Sequence, residues 1–401
     1  MKPIDKGHFR TPLLPTPFAE RTRPLSKLGS YIPWAGYLTV NIYEEEETEY
    51  FALRNQASLY DLTPMVKYRI EGPDAEDFLN RLTVRNVTKQ KPGRVVYTIW
   101  CDDDGKVIDD GTIFRLTPTR FRLCCQERHL PWLLDSAIGF QVEIEEETDD
   151  IAALSLQGPT SFSVLKRAGF KGVETLKPFD LREFSLANGA TVLISRTGFT
   201  GDLGYELWTD VDNALPLWDI LWEAGPLYGL RAVGSHALNM ARIEAGFIQT
   251  NGDFIAANQA VRRDRPRSPF EIGLEWMLSF DKGHFNGRRA LLAEKERGTS
   301  RFCLVGLEIE GNVAADHSLI YHKKSKEVGH ITAALWSPTA KRNIAIATLK
   351  RPYGVKVVDD LWVEIYAMRE LEWQKLMLRA WIVPRPFFDP PRKKVTPPGR
   401  F

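Results

Sequence analysis

The chain has 401 residues, 43% of them hydrophobic, and a formal net charge of +1. That length supports two or three domains and a large buried core. The near-zero charge excludes a global field that would gather nucleic acid or an anionic membrane as a partner. Four cysteines, Cys101, Cys124, Cys125 and Cys303, show neither zinc spacing nor a disulfide framework. Free thiols suit a reducing compartment. The opening MKPIDKGHFR lacks the apolar run of a signal peptide, and no stretch approaches eighteen apolar residues, so a cytoplasmic protein is expected.

Residues 1–35 are Pro-rich and read as an arm packed over the body or as a mobile leader. Residues 37–43 read as a strand, the acidic run 44–49 as a solvated loop, and 50–60 as a short helix. An internal echo follows. KYRIEGPDAEDFLNRL (67–82) and AALSLQGPTSFSVLKRAG (152–169) share one plan: strand, Gly-Pro, then a helix with Phe and Leu at helical spacing. Asp74 and Thr160 stand at the cap or first turn of each helix. The repeat predicts two related α/β lobes.

Between the copies, YTIWCDDDGKVIDDGTIF (97–114) reads as strand, Asp-Gly turn, strand. Adjacent strand residues point to opposite faces, so only one of Asp109 and Asp110 can face a buried site. A carboxylate enclosed beside Tyr97 and Trp100 would have a raised pKa and could handle protons. An acidic hairpin facing water is the alternative. Residues 95–123 make three strands with turns at 102–105 and 117–119, and 121–126 alternate with a period of two.

Residues 129–137 read as a helix, 141–144 and 191–195 as strands, and 216–224 as a helix. RTGFTGDLGYELW (196–208) carries three glycines in seven residues, which permits close backbone approach. SHALNMARIEAGF (235–247) reads as a helix capped by Ser235. Its His236, Asn239 and Arg242 share one side, as a site wall or as a buried structural network. Arg262, Arg263, Arg265 and Arg267 form a basic cluster. A boundary falls near 290–302. Beyond it, short strands at 303–309, 328–335, 343–348, 354–366 and 376–383 predict a small β-barrel or sandwich. The Pro-rich basic tail should wrap the surface. No phosphate-binding loop, dinucleotide fingerprint or nucleophile elbow is present, and the scattered histidines predict no metal site.

Several of these segments fall in the order of one family. The Tyr97 hairpin with V-I-D-D, the segment TGFTGDLGYE (197–206), ALNMARIEAG (237–246) and PFEIGLEW…KGHFNG (269–287) together resemble the glycine-cleavage T-protein (aminomethyltransferase) family over nearly the whole chain. The resemblance implies an α+β, three-domain fold: residues 1–65 and 152–256 as a first lobe, 66–151 and 257–295 as a second carrying the folate hairpin, and 296–401 as a β module. It implies tetrahydrofolate as cofactor, Glu206 gripping the pterin, and Asp110 as the catalytic acid near the folate nitrogens. Tyr97, Phe199 and Trp276 would wall the ring, and Gln126 and Arg242 would contact the ligand. Phe199, Asp202 and Gln126 stand where the T-protein has Tyr, Glu and Asn, and Leu238-Asn239 where it has Arg-Asp. The helix segment with Leu238-Asn239 is closer to the folate-binding halves of sarcosine and dimethylglycine dehydrogenases. The leader through Trp34-Ala35-Gly36-Tyr37 and the tail PFFDPP (386–391) are closer to stand-alone demethylase-like members, which implies methyl or methylene transfer from a small donor to tetrahydrofolate. Glycine cleavage with a lipoyl carrier partner is second, and a folate-independent lyase releasing formaldehyde, or a folate-sensing binding protein, is a further alternative.

Overall fold

Residues 94–125 form a meander of three largely buried strands. In the computed structural model, which describes residues 12–262 and 264–395, the strands Arg94–Cys101, Val107–Arg115 and Arg120–Cys125 pair antiparallel as neighbours. Val66–Glu71 and Glu143–Glu146 complete a five-stranded sheet. A six-stranded sheet runs in the order Leu181–Ser185, Thr191–Ser195, Gly204–Asp210, Ile151–Gln157, Ala57–Asp61, Leu230–Ala232.

The echo is visible in three dimensions. Val66–Glu71 leads to the helix Ala75–Leu82, and Ile151–Gln157 to the helix Ser161–Arg167. Each strand ends on a glycine of positive φ, Gly72 at 146° and Gly158 at 112°. A Cβ there would sit 2.4 Å from the Gln141 carbonyl oxygen or 2.5 Å from that of Gln56, so both positions demand glycine. Asp74 and Thr160 then cap with nearly the same backbone angles.

Each sheet buries its outer face under helices. Phe78, Leu79 and Leu82 cover Val66, Ile70 and Ile113, while Phe162, Leu165, Leu217 and Trp218 cover Leu154 and Leu207. The inner faces meet. Val95, Phe114 and Cys124 of one sheet and Leu62, Ala153 and Trp208 of the other form a shared core, with Phe114 edge-on to Trp208 at 5.2 Å. Burying one such aromatic stabilises by about 2–3 kcal/mol.

Beyond residue 301 a closed six-stranded barrel has the order Phe302–Ile309, Arg342–Lys350, Lys326–Ser337, Leu319–His322, Leu361–Arg369, Glu372–Val383. Leu335, Ile344 and Ile346 on it pack against Ile99 and Val107 of the hairpin.

Some expectations fail for identifiable reasons. The acidic run 44–49 is not a solvated loop: the helix Glu46–Asn55 starts inside it and Glu49 is buried. Its carboxylate accepts the N–H groups of Tyr43 (2.6 Å), Glu44 (3.1 Å) and Gly234 (2.7 Å). The helix expected over 50–60 ends at Asn55, and Ala57–Asp61 is a central strand. Ser235 is not the cap of the helix Ser235–Glu244; Gly234 is. The strand expected over 354–366 starts only at Leu361, and Leu319–His322 was missed. The arm over 1–35 lies partly outside the described residues; its described part pairs Ser30–Trp34 with Tyr37–Ile42. The tail is fastened over 384–395 as detailed below; residues 396–401 are outside the description, as is Arg263.

Candidate active site

Residues two apart on a strand share a face. Val95, Phe114, Cys124 and Trp208 fill the inter-sheet core. One or two such steps along their strands stand Tyr97, Thr112 and Asp110, Gln126 and Glu206. These side chains therefore project into the same space between the sheets. Each is half-buried where its core neighbour is enclosed, so the apolar core gives way there to a polar recess.

Asp110 is held from two sides. The Tyr97 hydroxyl donates to Oδ2 at 2.8 Å and the Thr250 hydroxyl to Oδ1 at 2.8 Å. The Gln126 amide donates to the Thr250 carbonyl at 3.3 Å. Burial, and then the Asp109 charge, push the Asp110 carboxyl well above its usual range, against the opposing pull of the Thr250 and Tyr97 hydrogen bonds.

Asp109 points the other way, as alternation requires. It accepts the Asp110 N–H at 2.8 Å and the Glu127 N–H at 3.3 Å. His129 Nε2 lies 2.8 Å from its Oδ2. Asn258 Nδ2 donates to Nδ1 of the same ring at 3.4 Å, which assigns the proton to Nε2. Trp100 meets His129 edge-on at 5.7 Å.

Glu206 lies on the facing sheet. Its Oε2 accepts from Thr197 at 2.6 Å and from Ser195 at 3.5 Å. Its Oε1 has no hydrogen-bond partner among the described residues. Burial pushes its carboxyl up to about 7, only partly offset by the two hydroxyls. The preceding Gly-rich loop is braced throughout. Phe199 stacks on Phe247 at 5.7 Å, and Gly201, at φ +69°, leaves no room for a Cβ beside Ala245. Asp202 receives Arg392 through Nε at 2.6 Å and Nη2 at 2.7 Å, with Arg54 at 3.5 Å.

The polar stripe expected on one helix face is divided. Arg242 is buried in an ion pair with Asp253 and donates to Asn239 Oδ1 at 2.9 Å, so its charge is already matched. His236 turns to Glu46 at 3.2 Å. Trp276 is 62% exposed, with the Arg85 guanidinium over its ring at 5.4 Å. Sequence pattern alone does not find Thr250, His129 or Asp253: Thr250 meets Asp110 across 140 residues and His129 meets Asp109 across 20, while Asp253 turns back on Arg242, 11 residues before it, through a loop with no regular period. The one local hint was the doubled acid in V-I-D-D, which requires two separate environments. Among the described residues no group of three or more His, Cys, Asp or Glu side chains is placed to hold a metal, and no helix is long and apolar enough to cross a membrane.

Comparison with known proteins follows the same lines. The profile described as GCVT N-terminal domain matches residues 24–282, and that of the glycine cleavage T-protein C-terminal barrel domain matches 303–389. The chain is similar to an aminomethyltransferase of Caldanaerobacter subterraneus subsp. tengcongensis, 32% identical over 90% of this chain and 93% of that one. It is also similar to a trimethylamine-oxide aldolase of Ruegeria pomeroyi, 33% identical over 86% of this chain but 43% of that protein. In fold it is similar to the glycine cleavage system aminomethyltransferase T of Bartonella henselae, with a TM-score of 0.80 at 22% identity, covering 94% of this chain and 98% of that one.

Proposed function

Since the chain belongs to the glycine cleavage T-protein family and is an enzyme of its transferase class, we propose that it moves a methyl or methylene unit from a small donor to tetrahydrofolate. What supports this is a pair of half-buried carboxylates, Asp110 and Glu206, each one or two strand steps from the core that the two sheets share. A flat heterocycle with adjacent N–H donors fits the free Oε1 of Glu206, and a carboxylate accepts two such bonds in parallel. Tetrahydrofolate, when bound, supplies the ring nitrogen that accepts the one-carbon unit. Asp110 holds or moves a proton at its Oδ atoms, fixed in direction by Tyr97 and Thr250. Tyr97 and Phe199 supply aromatic wall, and Gln126 positions Thr250. Arg242 orders the loop 247–253 rather than meeting ligand directly. In this reading residues 1–65 with 152–256, 66–151 with 257–295, and 296–401 are the three domains.

Calorimetry with tetrahydrofolate, followed by detection of a one-carbon derivative of it after adding candidate methylated amines, sulfonium compounds or aryl ethers, tests the proposal. Absence of folate binding would overturn it. The similarity to a trimethylamine-oxide aldolase favours one second reading, a lyase in the same recess with Asp110 as base. Formaldehyde release without added folate is its signature.

A further inference from the structure

A cavity of about 250 Å³ lies between the loop 251–255 and the barrel strands Lys326–Ser337 and Arg342–Lys350, lined in part by Arg265, Arg267, His330 and Thr348. Its charge balance is one-sided. The one carboxylate on its wall, Asp253, is committed: it takes the Arg242 ion pair, the Gln249 N–H at 2.9 Å and the Thr332 hydroxyl. The donors are not committed. Arg267 is only 7% exposed, with its guanidinium 3.8 Å above the Phe302 ring. Its Nη1 serves three backbone carbonyls, those of Asp264, Arg265 and Pro266. Its Nε and Nη2 have no partner among the described residues, nor do the Arg265 guanidinium, the His330 ring or the Thr348 hydroxyl. Burial first, and then the charges of Arg267 and Arg265, hold the His330 pKa below its usual value, with Lys350 adding to the effect and Glu327 opposing it.

We propose that this cavity is a binding site for a small oxyanion group, a carboxylate or phosphate bound by Arg265 and Arg267 with Thr348 as a neutral donor. Both arginines line the cavity with donors unpaired among the described residues, and charge-assisted bonds to a planar or tetrahedral oxyanion satisfy such donors. Asn251 on the cavity wall follows Thr250, which holds Asp110, so an occupant touches the loop that sets the carboxyl. The site uses neither Asp110 nor Glu206 and stands whether or not the proposed transfer reaction does.

The test titrates the full chain with inorganic phosphate and with succinate at low ionic strength by calorimetry. Saturable 1:1 binding is expected, weakened at least tenfold in Arg265→Ala and further with Thr348→Val. Arg265 is exposed, so its removal spares the fold, whereas Arg267 holds three carbonyls and is left in place. Titration with a glutamylated folate and with its pteroate analogue identifies the source. If loss of the glutamyl group weakens binding and Arg265→Ala removes that difference, the oxyanion is a cofactor's tail. If the two bind alike while phosphate or succinate still binds, it belongs to a free anion. No saturable binding of either anion, or equal affinity in the double variant, would overturn the proposal.

Discussion

Asp109 and Asp110 are neighbours in sequence and strangers in space. One is fixed by two N–H groups and His129 in a sealed pocket; the other meets Tyr97 and Thr250 at a recess. The sequence allowed their separation to be foreseen, because strand alternation is local. It did not reveal which hydroxyls would hold Asp110, because Thr250 lies 140 residues away. Asp110→Asn should keep folate affinity within a few-fold and lower turnover about 10²- to 10⁴-fold, the range for loss of a positioned proton-transfer group. A rate unchanged in steady-state assays would remove Asp110 from the chemistry. Glu206 makes a pH prediction. Its folded pKa of about 7 lies above its ordinary 4.5, so it contributes most to stability below 4.5, and that contribution is lost as pH rises through 7. Glu206→Gln should therefore gain thermal midpoint over the wild type at pH 8 but not at pH 5. Ligand gripping needs the ionised form, so folate affinity should fall about tenfold per pH unit below the raised pKa; calorimetry from pH 5 to 8 reads this directly.

Among the elements, the helix Glu46–Asn55 shows where pattern reading stops. A run of glutamates has the composition of a surface loop. Glu49 is nevertheless enclosed, because three N–H groups from a strand end and a helix start converge on it. It anchors the N–H of Gly234, the residue that stands at the cap where Ser235 was expected. No local signal marks which of several glutamates turns inward. Glu49→Gln replaces an acceptor oxygen by a donor facing an N–H, and should cost about 1–3 kcal/mol in urea unfolding. By contrast, the Gly-Pro echo, the hairpin and the Gly-rich loop were legible, since glycines of forced conformation and two-residue periodicity are written in adjacent positions. Barrel strands were located to within a few residues where they alternate cleanly. The short Leu319–His322 was lost among turns.

Across the whole molecule, one buried network ties the lobe carrying Glu206 to the barrel and the tail. The Glu244 carboxylate accepts from the Tyr50 hydroxyl, Arg54 and the barrel's Ser337, and its backbone carbonyl accepts the N–H groups of Phe387 and Phe388. Arg54 also donates to the carbonyls of Thr200 and Ala241. Arg54→Met should destabilise by about 3–5 kcal/mol, because it strands the enclosed Glu244 carboxylate. Loss of folate affinity should accompany the lowered midpoint, since the Thr200 carbonyl belongs to the loop leading to Glu206; a midpoint unchanged in thermal scans would sink this assignment. Arg392 fastens Asp202 across 190 residues of chain, and Arg196 reaches the carbonyls of Lys393 and Val395. This has a bearing on biosynthesis. As the ribosome feeds out the polypeptide, both sheets are complete long before that arginine emerges. Over the 190 residues made between Asp202 and Arg392, the nascent protein thus carries Asp202 beside Arg54 alone among its described ion-pair partners, and the Gly-rich loop before Glu206 receives its last brace only when synthesis has passed residue 392.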